Sequence, residues 1–217
     1  MAITLTTSAG SSSGSSSVSI NVNVNAGDLV VVGRSRGHLS SAIAITVNGS
    51  AVTMIRDAEY ASASSNHIAV GYSRPSASGL LAVASSDATA TTVANIQALV
   101  YSGVQTVQST AYSTGATSDV SVTIASSGAN LLQLAYTAIG NSAANPGTLT
   151  SGPSVTLRQV LASSQAGPGF SLLSGFLEAP GTTNVLVANS TLPRSWGTIG
   201  FSLLATPAAG RGPTVWQ

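Results

Sequence analysis

The sequence predicts an all-β fold, and two patterns support this prediction. In residues 18–24, apolar and polar side chains alternate with a period of two, which is typical of a β-strand with one buried and one solvated face. A turn sequence follows at residues 26–28. The uninterrupted apolar run of residues 29–32 is then typical of a strand that is covered on both faces.

The second pattern is an internal repeat. Residues 120–136 repeat the order of residues 18–32, with an alternating strand, a turn and an apolar strand, at an offset of about 102 residues. Two further pairs of segments keep a similar spacing in the same order: residues 52–56 with 155–158, and residues 95–101 with 197–204. This repetition predicts two similar halves, at about residues 18–105 and 120–205.

Charged residues are scarce in this chain. They make up 6% of the 217 residues, against about 25% in an average soluble domain, and all seven cations are arginines. Serine, threonine, asparagine and glycine must therefore supply most of the solvated surface, and a surface with so little charge resists self-association poorly. We expect such a chain to function inside an assembly.

The charge balance and the lack of cysteine exclude several kinds of partner and site. The formal net charge is +1 and the arginines are scattered, so there is no electrostatic case for binding nucleic acid or an anionic membrane. Without cysteine there is no disulfide, no thiolate metal site and no cysteine nucleophile. We expect no cofactor and no metal.

Residues 1–17 are predicted to be an N-terminal edge strand and a flexible connector. Ile3 and Leu5 alternate with threonines, which indicates a short strand. Residues 8–17 contain only serine, glycine and one alanine, a composition typical of flexible linkers.

Residues 33–41 follow the first buried strand and are predicted to form an exposed loop. This loop contains three basic residues, Arg34, Arg36 and His38. We take Arg34 and Arg36 as candidates for contact with a partner protein.

The rest of the first half contains one clear hairpin. Asn48-Gly49 separates two short apolar segments, and this pair is preferred where both turn residues need a positive φ. Residues 89–101 are the longest apolar strand of this half. Residues 106–119 then join the halves without proline, a run of charges or a change in composition, which favours a single domain at residues 18–205.

The second half contains further predicted strands and an extended tail. The predicted strands lie near residues 120–124, 130–138, 154–161, 169–178, 183–189 and 197–205. Residues 206–217 are predicted to be an extended C-terminal arm. We take Arg211, Val215 and Trp216 as candidates for contact with a partner, because an aromatic side chain carries a large apolar area. The alternative is an arm that frays or covers its own domain.

Four segments resemble the jelly-roll-like β-sandwich proteins of tailed-phage virions. They are residues 26–32, 98–104, 128–132 and 197–205, and they contain no catalytic signature. Together with the repeat, the resemblance implies a jelly-roll-like antiparallel β-sandwich made of two pseudo-repeated halves. It also implies a non-enzymatic virion component, either a capsid decoration protein or part of a fibre.

We expect a capsid decoration (cement) protein that binds the assembled shell through polar faces and the terminal arm. Its partners would be the major capsid protein or another virion protein, and further copies of itself, with a trimer favoured. The N-terminus lacks the basic start and apolar core of a signal peptide, so we expect synthesis in the host cytoplasm and a final location in the virion.

A fibre or receptor-binding module that recognises host-surface glycan is the first alternative. It would need a cluster of exposed aromatic and amide side chains. The rings of Tyr72, Tyr101 and Tyr136 are instead predicted to lie in the core near strand ends, with their hydroxyl groups in water.

A polysaccharide-degrading enzyme is the second alternative, and it would need Asp57, Glu59 or Asp87 to converge in a cleft. Asp57 and Glu59 lie two residues apart and share one face of a strand, so with His67 they are the best candidates for an acid/base or hard-cation cluster. We favour the simpler interpretation, a solvated strand end whose charges pair with Arg56.

Overall fold

The computed structural model describes most of the chain. The described residues are 2–14, 17–37, 43–60, 66–87, 93–126, 130–141, 147–164, 171–181, 185–191 and 194–207. Within these ranges every helix or strand is a β-strand, and every strand pairing is antiparallel. The prediction of an all-β fold with packed antiparallel sheets is confirmed.

The first half of the chain contains nine strands in two sheets. The strands are β1 (Thr4–Ser13), β2 (Ser17–Val24), β3 (Leu29–Gly37), β4 (Ile43–Val47), β5 (Ser50–Ala51), β6 (Thr53–Tyr60), β7 (Asn66–Ser73), β8 (Gly79–Asp87) and β9 (Val93–Ser102). Inner sheet 1 has the order β1-β9-β3-β7-β6, and outer sheet 1 has the order β2-β8-β4-β5. Asn48 and Gly49 have φ angles of 49° and 79°, which confirms the predicted hairpin turn.

The second half contains eight strands in two sheets. The strands are β10 (Val104–Gly115), β11 (Asp119–Thr123), β12 (Leu131–Asn141), β13 (Leu149–Ser151), β14 (Thr156–Ser164), β15 (Ser171–Pro180), β16 (Val185–Ser190) and β17 (Ser195–Ala205). Inner sheet 2 has the order β10-β17-β12-β15-β14, and outer sheet 2 has the order β11-β16-β13. Apart from β5, which has no counterpart in outer sheet 2, these orders match those of the first half, so the repeated sequence order corresponds to a repeated strand order.

The four sheets stack in the order outer 1, inner 1, inner 2, outer 2. Val30 and Val32 belong to the core between the sheets of the first half, whereas Val31 belongs to a core that joins the two inner sheets. Both faces of β3 are therefore covered, and Leu29 to Val32 are all fully buried. This confirms the prediction from the apolar run that the strand is covered on both faces.

The two inner sheets pack about an approximate twofold axis. β9 meets β14 and β15, and the equivalent β17 meets β6 and β7; β3 meets β15, and the equivalent β12 meets β7. Each contact thus recurs when the equivalent strands are exchanged, as in the isologous interface of a homodimer. The single chain contains both partners of this interface.

Several segments differ from their predicted structure. Ser8 to Ser13, predicted as a connector, belong to β1 and pair with β9. Most of residues 106–119, predicted as a connection, belongs to β10, which pairs with β17. The prediction also missed β8. These segments are rich in small or polar residues, and they form strands because a neighbouring strand offers partners for their backbone groups, which local composition does not reveal.

Candidate functional site on the outer face of the first half

The arginines predicted to contact a partner are buried. Arg34 and Arg36 belong to β3, not to an exposed loop, and both side chains are 0% exposed. The Arg34 Nε atom donates a hydrogen bond to Ser85 Oγ in β8 at 2.9 Å, which ties inner sheet 1 to outer sheet 1. The prediction of an exposed contact is therefore wrong for both arginines. The Arg34 stem packs between two sheets and its polar head bonds within the protein.

The remaining candidates for partner contact lie outside the described residues. They are Arg211, Val215 and Trp216 of the C-terminal arm. His38 also lies outside them, with the rest of residues 38–41.

The side chains of Asp57 and His67 lie against each other inside the protein. His67 Nδ1 lies 2.8 Å from Asp57 Oδ1, and Asp57 Oδ2 accepts a hydrogen bond from the Ile43 backbone N–H at 3.0 Å. Because Ile43 begins β4, this carboxylate joins the edge of inner sheet 1 to outer sheet 1. One carboxylate oxygen accepts a backbone hydrogen bond and the other lies close to the imidazole of His67, so this carboxylate is placed to hold the sandwich together.

The other charges near Asp57 are arranged differently from the prediction. The Arg56 guanidinium lies over the ring of Tyr112, 4.4 Å from its centroid, and not against a carboxylate. Tyr112 in turn donates a hydrogen bond to the Glu59 backbone carbonyl at 2.7 Å. The expected pairing of Arg56 with the carboxylates is replaced by a contact between β6 and β10. Among the described residues, no three histidine or carboxylate side chains are grouped as a metal site.

Three tyrosines are buried between the inner sheets: Tyr60, Tyr101 and Tyr136. Tyr101 donates a hydrogen bond to Glu178 Oε2 at 2.7 Å, and Glu178 Oε1 accepts one from Arg158 at 2.7 Å. Burial raises the pKa of Tyr136 to about 12. The hydroxyl groups of Tyr101 and Tyr136 are therefore inside the protein, and the prediction that they lie in water is wrong.

An exposed surface of a different kind covers the first half. We use the name outer face for the solvent side of outer sheet 1. Its residues lie opposite one another in the strand register: Ser17, Ser19, Asn21 and Asn23 of β2; Ser86, Ala84, Ala82 and Leu80 of β8; and Ala44 and Thr46 of β4. None of these residues is charged. The alternation of residues 18–24 predicted the β2 column, whereas the β8 column was missed.

A shallow depression of about 330 Å³ lies in the outer face. It is lined by side chains no larger than threonine from three strands, including Ser19, Thr46 and Ala84, with Val18 and Ser85 below them. Leu80 stands at the far end of β8 from the depression and is 65% exposed. The face therefore combines one protruding apolar side chain with a hollow of small side chains.

The corresponding face of the second half has a different character. Outer sheet 2 has three strands, and its solvent side includes the carboxylate residue Asp119 opposite Asn189. Val185 at the start of β16 is 43% exposed, and Val187 is half-buried. β-Branched side chains thus occupy positions that alanines occupy in the first half.

A second depression, of about 210 Å³, lies near the Asn48-Gly49 turn. Its charged residue, Arg74, donates hydrogen bonds to the carbonyl groups of Gly27 at 3.2 Å and Gln105 at 3.0 Å. This arginine therefore fixes the loop of the first half to the start of β10, and its role in the depression is structural.

Within the described ranges, no helix has the length and apolar character that crossing a membrane requires. Comparisons with protein-family models, curated proteins and solved structures find no match for this chain.

Proposed function

We propose that this chain is a non-enzymatic structural subunit of a phage-like particle, which binds the assembled shell as a decoration protein. The observation that supports this best is the outer face, an extended and solvent-exposed β-surface without a charged residue. Association of neighbouring subunits on a shell through such a surface requires no desolvation of charge on this side of the interface. A protein that works alone would benefit from more charge, because charge keeps copies apart.

The strand order supports a jelly-roll assignment for the first half. In a jelly roll, eight strands alternate between two sheets with the orders 1-8-3-6 and 2-7-4-5. The first half follows this pattern with β1-β9-β3-β7 in one sheet and β2-β8-β4-β5 in the other, and β6 is added at an edge. This architecture is frequent in viral capsid domains and in lectins, so it supports the virion role without selecting it.

The proposed mechanism is stabilisation by mass action. A subunit that binds the assembled shell, and not its separated components, shifts the equilibrium toward assembly. Many copies on one shell gain further from avidity. The subunit itself needs a rigid body for this task, and four packed sheets with three apolar cores supply one.

The two alternatives receive less support from the described residues. A glycan-binding face needs exposed aromatic rings, but Tyr60, Tyr101 and Tyr136 are buried. A polysaccharide-degrading enzyme needs an available pair of carboxylates, but Asp57 is held by His67 and Ile43.

Co-sedimentation tests this proposal. The purified chain is mixed with empty heads from a tailed phage or prophage whose genome encodes it, and bound protein is measured against free protein. We expect saturable binding at a fixed number of copies per head, and heads that disassemble at a higher temperature than bare heads. Absence of binding, with retention of the chain on isolated host-surface polysaccharide, would overturn the proposal in favour of a receptor-binding module.

A further inference from the structure

Leu80 is the most exposed large apolar side chain in the described part of the chain. It is 65% exposed, although it lies within a regular strand and opposite Asn23 in the register of β2 and β8. An isolated exposed leucine needs no explanation by itself. Here, however, the same strand carries a complementary feature.

That feature is the depression around Ala84. Ala84 and Leu80 point to the same side of β8, four residues apart, which corresponds to about 13 Å along a strand. Ala82 lies midway between them on the same side. The side chains around Ala84 are small, so the depression is wide enough to receive an apolar side chain from another molecule.

We propose that the outer face binds the outer face of a second copy of this chain. A twofold axis that lies between the two faces and crosses β8 at Ala82 reverses the direction of one strand relative to the other. Leu80 of each copy is then placed over Ala84 of the other, and the two Ala82 residues face each other at the axis. Each copy supplies one protruding side chain and one hollow.

The charge of the face favours a second copy over other partners. In a twofold contact a charge near the axis lies close to its own copy of the same sign, which opposes binding. The outer face has no charge, so it meets no such opposition. A charged partner, in contrast, would lose the hydration of its charges without gaining an opposite charge.

The inner sheets show that this fold supports such a contact. They already pair face to face about an approximate twofold axis, with a small residue opposite a large one: Gly33 lies under the ring of Tyr136. The proposed pairing of Leu80 with Ala84 uses the same complementarity of large and small side chains at one end of the stack.

The size of the face predicts a weak dimer. The three strands of the face, β2, β8 and β4, have 8, 9 and 5 residues. At about 3.3 Å per residue and about 4.8 Å between strands they cover roughly 350 Å² per copy. The total of about 700 Å² is below the roughly 1,200 Å² that stable specific interfaces bury. We therefore expect an equilibrium between monomer and dimer at high micromolar concentration, which the high local concentration on a shell would favour.

Sedimentation equilibrium of the full chain over a wide concentration range tests the proposal. We expect a monomer–dimer equilibrium that Leu80→Lys weakens by about tenfold or more, since the lysine would have to be desolvated. Val185→Lys is the matched control, because Val185 is 43% exposed on the equivalent strand of the second half. Both positions are exposed, so both variants should fold. A chain that stays monomeric throughout, an equal effect of both variants, or a trimer unaffected by Leu80→Lys would overturn the proposal.

Chemical cross-linking places the axis independently. The chain has no cysteine, so Ala82→Cys introduces a single thiol. A short bismaleimide should link two copies of this variant, whereas Thr123→Cys on the exposed side of β11 should stay monomeric. Equal cross-linking of both variants would contradict the assigned face. None of these experiments contains a shell, so their failure is distinct from a failure of the decoration proposal.

Discussion

The ring of Tyr136 in inner sheet 2 lies directly against the backbone of Gly33 in inner sheet 1. A β-carbon at Gly33 would lie 2.5 Å from Cδ2 of that ring, and the Tyr136 hydroxyl lies 3.1 Å from Ser35 Oγ. Gly33 pairs with Gln97 as Tyr136 pairs with Ile199, so the two residues occupy equivalent positions of the repeat and meet at the approximate twofold axis. Two glycines there would leave a void and two tyrosines would overlap, so close packing requires unlike residues.

Gly33→Ala should therefore destabilise the protein. The added methyl group meets a fully buried ring that has no room to move, and overpacking of this kind costs about 1–3 kcal/mol. Denaturant unfolding measures the effect. Gly175→Ala is the matched control, because its β-carbon would lie 3.4 Å from Leu149, Leu157 and Val160, an ordinary contact distance. Equal losses of stability in both variants would contradict the special role of the axial contact.

Arg34→Ala should act on stability and not on the association of copies. The variant removes a fully buried side chain and leaves Ser85 Oγ without its 2.9 Å donor, so we expect a cost of about 2–4 kcal/mol. Arg56→Ala is the control: its guanidinium is exposed over Tyr112, and the loss of that contact should cost about 1 kcal/mol or less. If the Arg34→Ala variant unfolded like the parent but associated more weakly, the assignment of Arg34 as a buried residue would be wrong.

The buried arginines show where prediction from the sequence ends. Within a short window, Arg34 and Arg36 after an apolar run indicate an exposed loop, because charged residues are seldom fully buried. The group that binds Arg34 is Ser85, which is 51 residues away in the chain. Only the stacking of the two sheets brings them together. The repeat and the apolar run at Leu29 were predictable because both patterns are local or periodic.

Of the two longer strands of the outer face, β2 could be predicted from the sequence and β8 could not, for the same reason. The asparagines and serines of β2 alternate with valines, and this period of two fixes their solvent-facing side. In β8, larger apolar residues such as Leu81 and Val83 alternate with the small residues Ala82 and Ala84. The contrast between alanine and valine is weak compared with that between asparagine and valine, so the strand was missed. It becomes visible through its pairing with β2.

Asp57→Asn should lower stability by about 1–2 kcal/mol, because it removes the negative partner of His67 and weakens the bond to Ile43. Glu59→Gln, two residues along the same strand and exposed, should stay within about 0.5 kcal/mol of the parent. Denaturant unfolding at neutral pH checks both values. Binding to heads should be unchanged in either variant. If Asp57→Asn left stability intact but abolished binding or a hydrolytic activity, the structural role assigned to this carboxylate would be wrong.

Alkaline pH should unfold the protein through its buried tyrosines. Burial is the main cause of a raised pKa in three of them: Tyr60 and Tyr101 titrate well above the ordinary value, and Tyr136 at about 12. In the unfolded chain each titrates near pH 10. Above about pH 10 the unfolded chain therefore binds fewer protons than the folded one, and the stability that is complete below this pH is lost as the pH rises toward 12 and beyond.

The slope of the unfolding free energy against pH shows how many buried tyrosines cause this loss of stability. Each buried tyrosine contributes about 1.4 kcal/mol per pH unit, so three contribute roughly 4 kcal/mol per pH unit between pH 10 and 12. Tyr60→Phe should reduce the slope by about a third. It should also leave stability at neutral pH unchanged or raise it, because the Tyr60 hydroxyl is buried without a hydrogen-bond partner among the described residues and an unsatisfied buried hydroxyl is destabilising. Denaturant unfolding at a series of pH values, with tyrosinate absorbance recorded in parallel, gives both quantities. Full ionisation of all five tyrosines near pH 10 in a protein that remains folded would refute the burial of these hydroxyl groups and, with it, the packing of the two inner sheets described above.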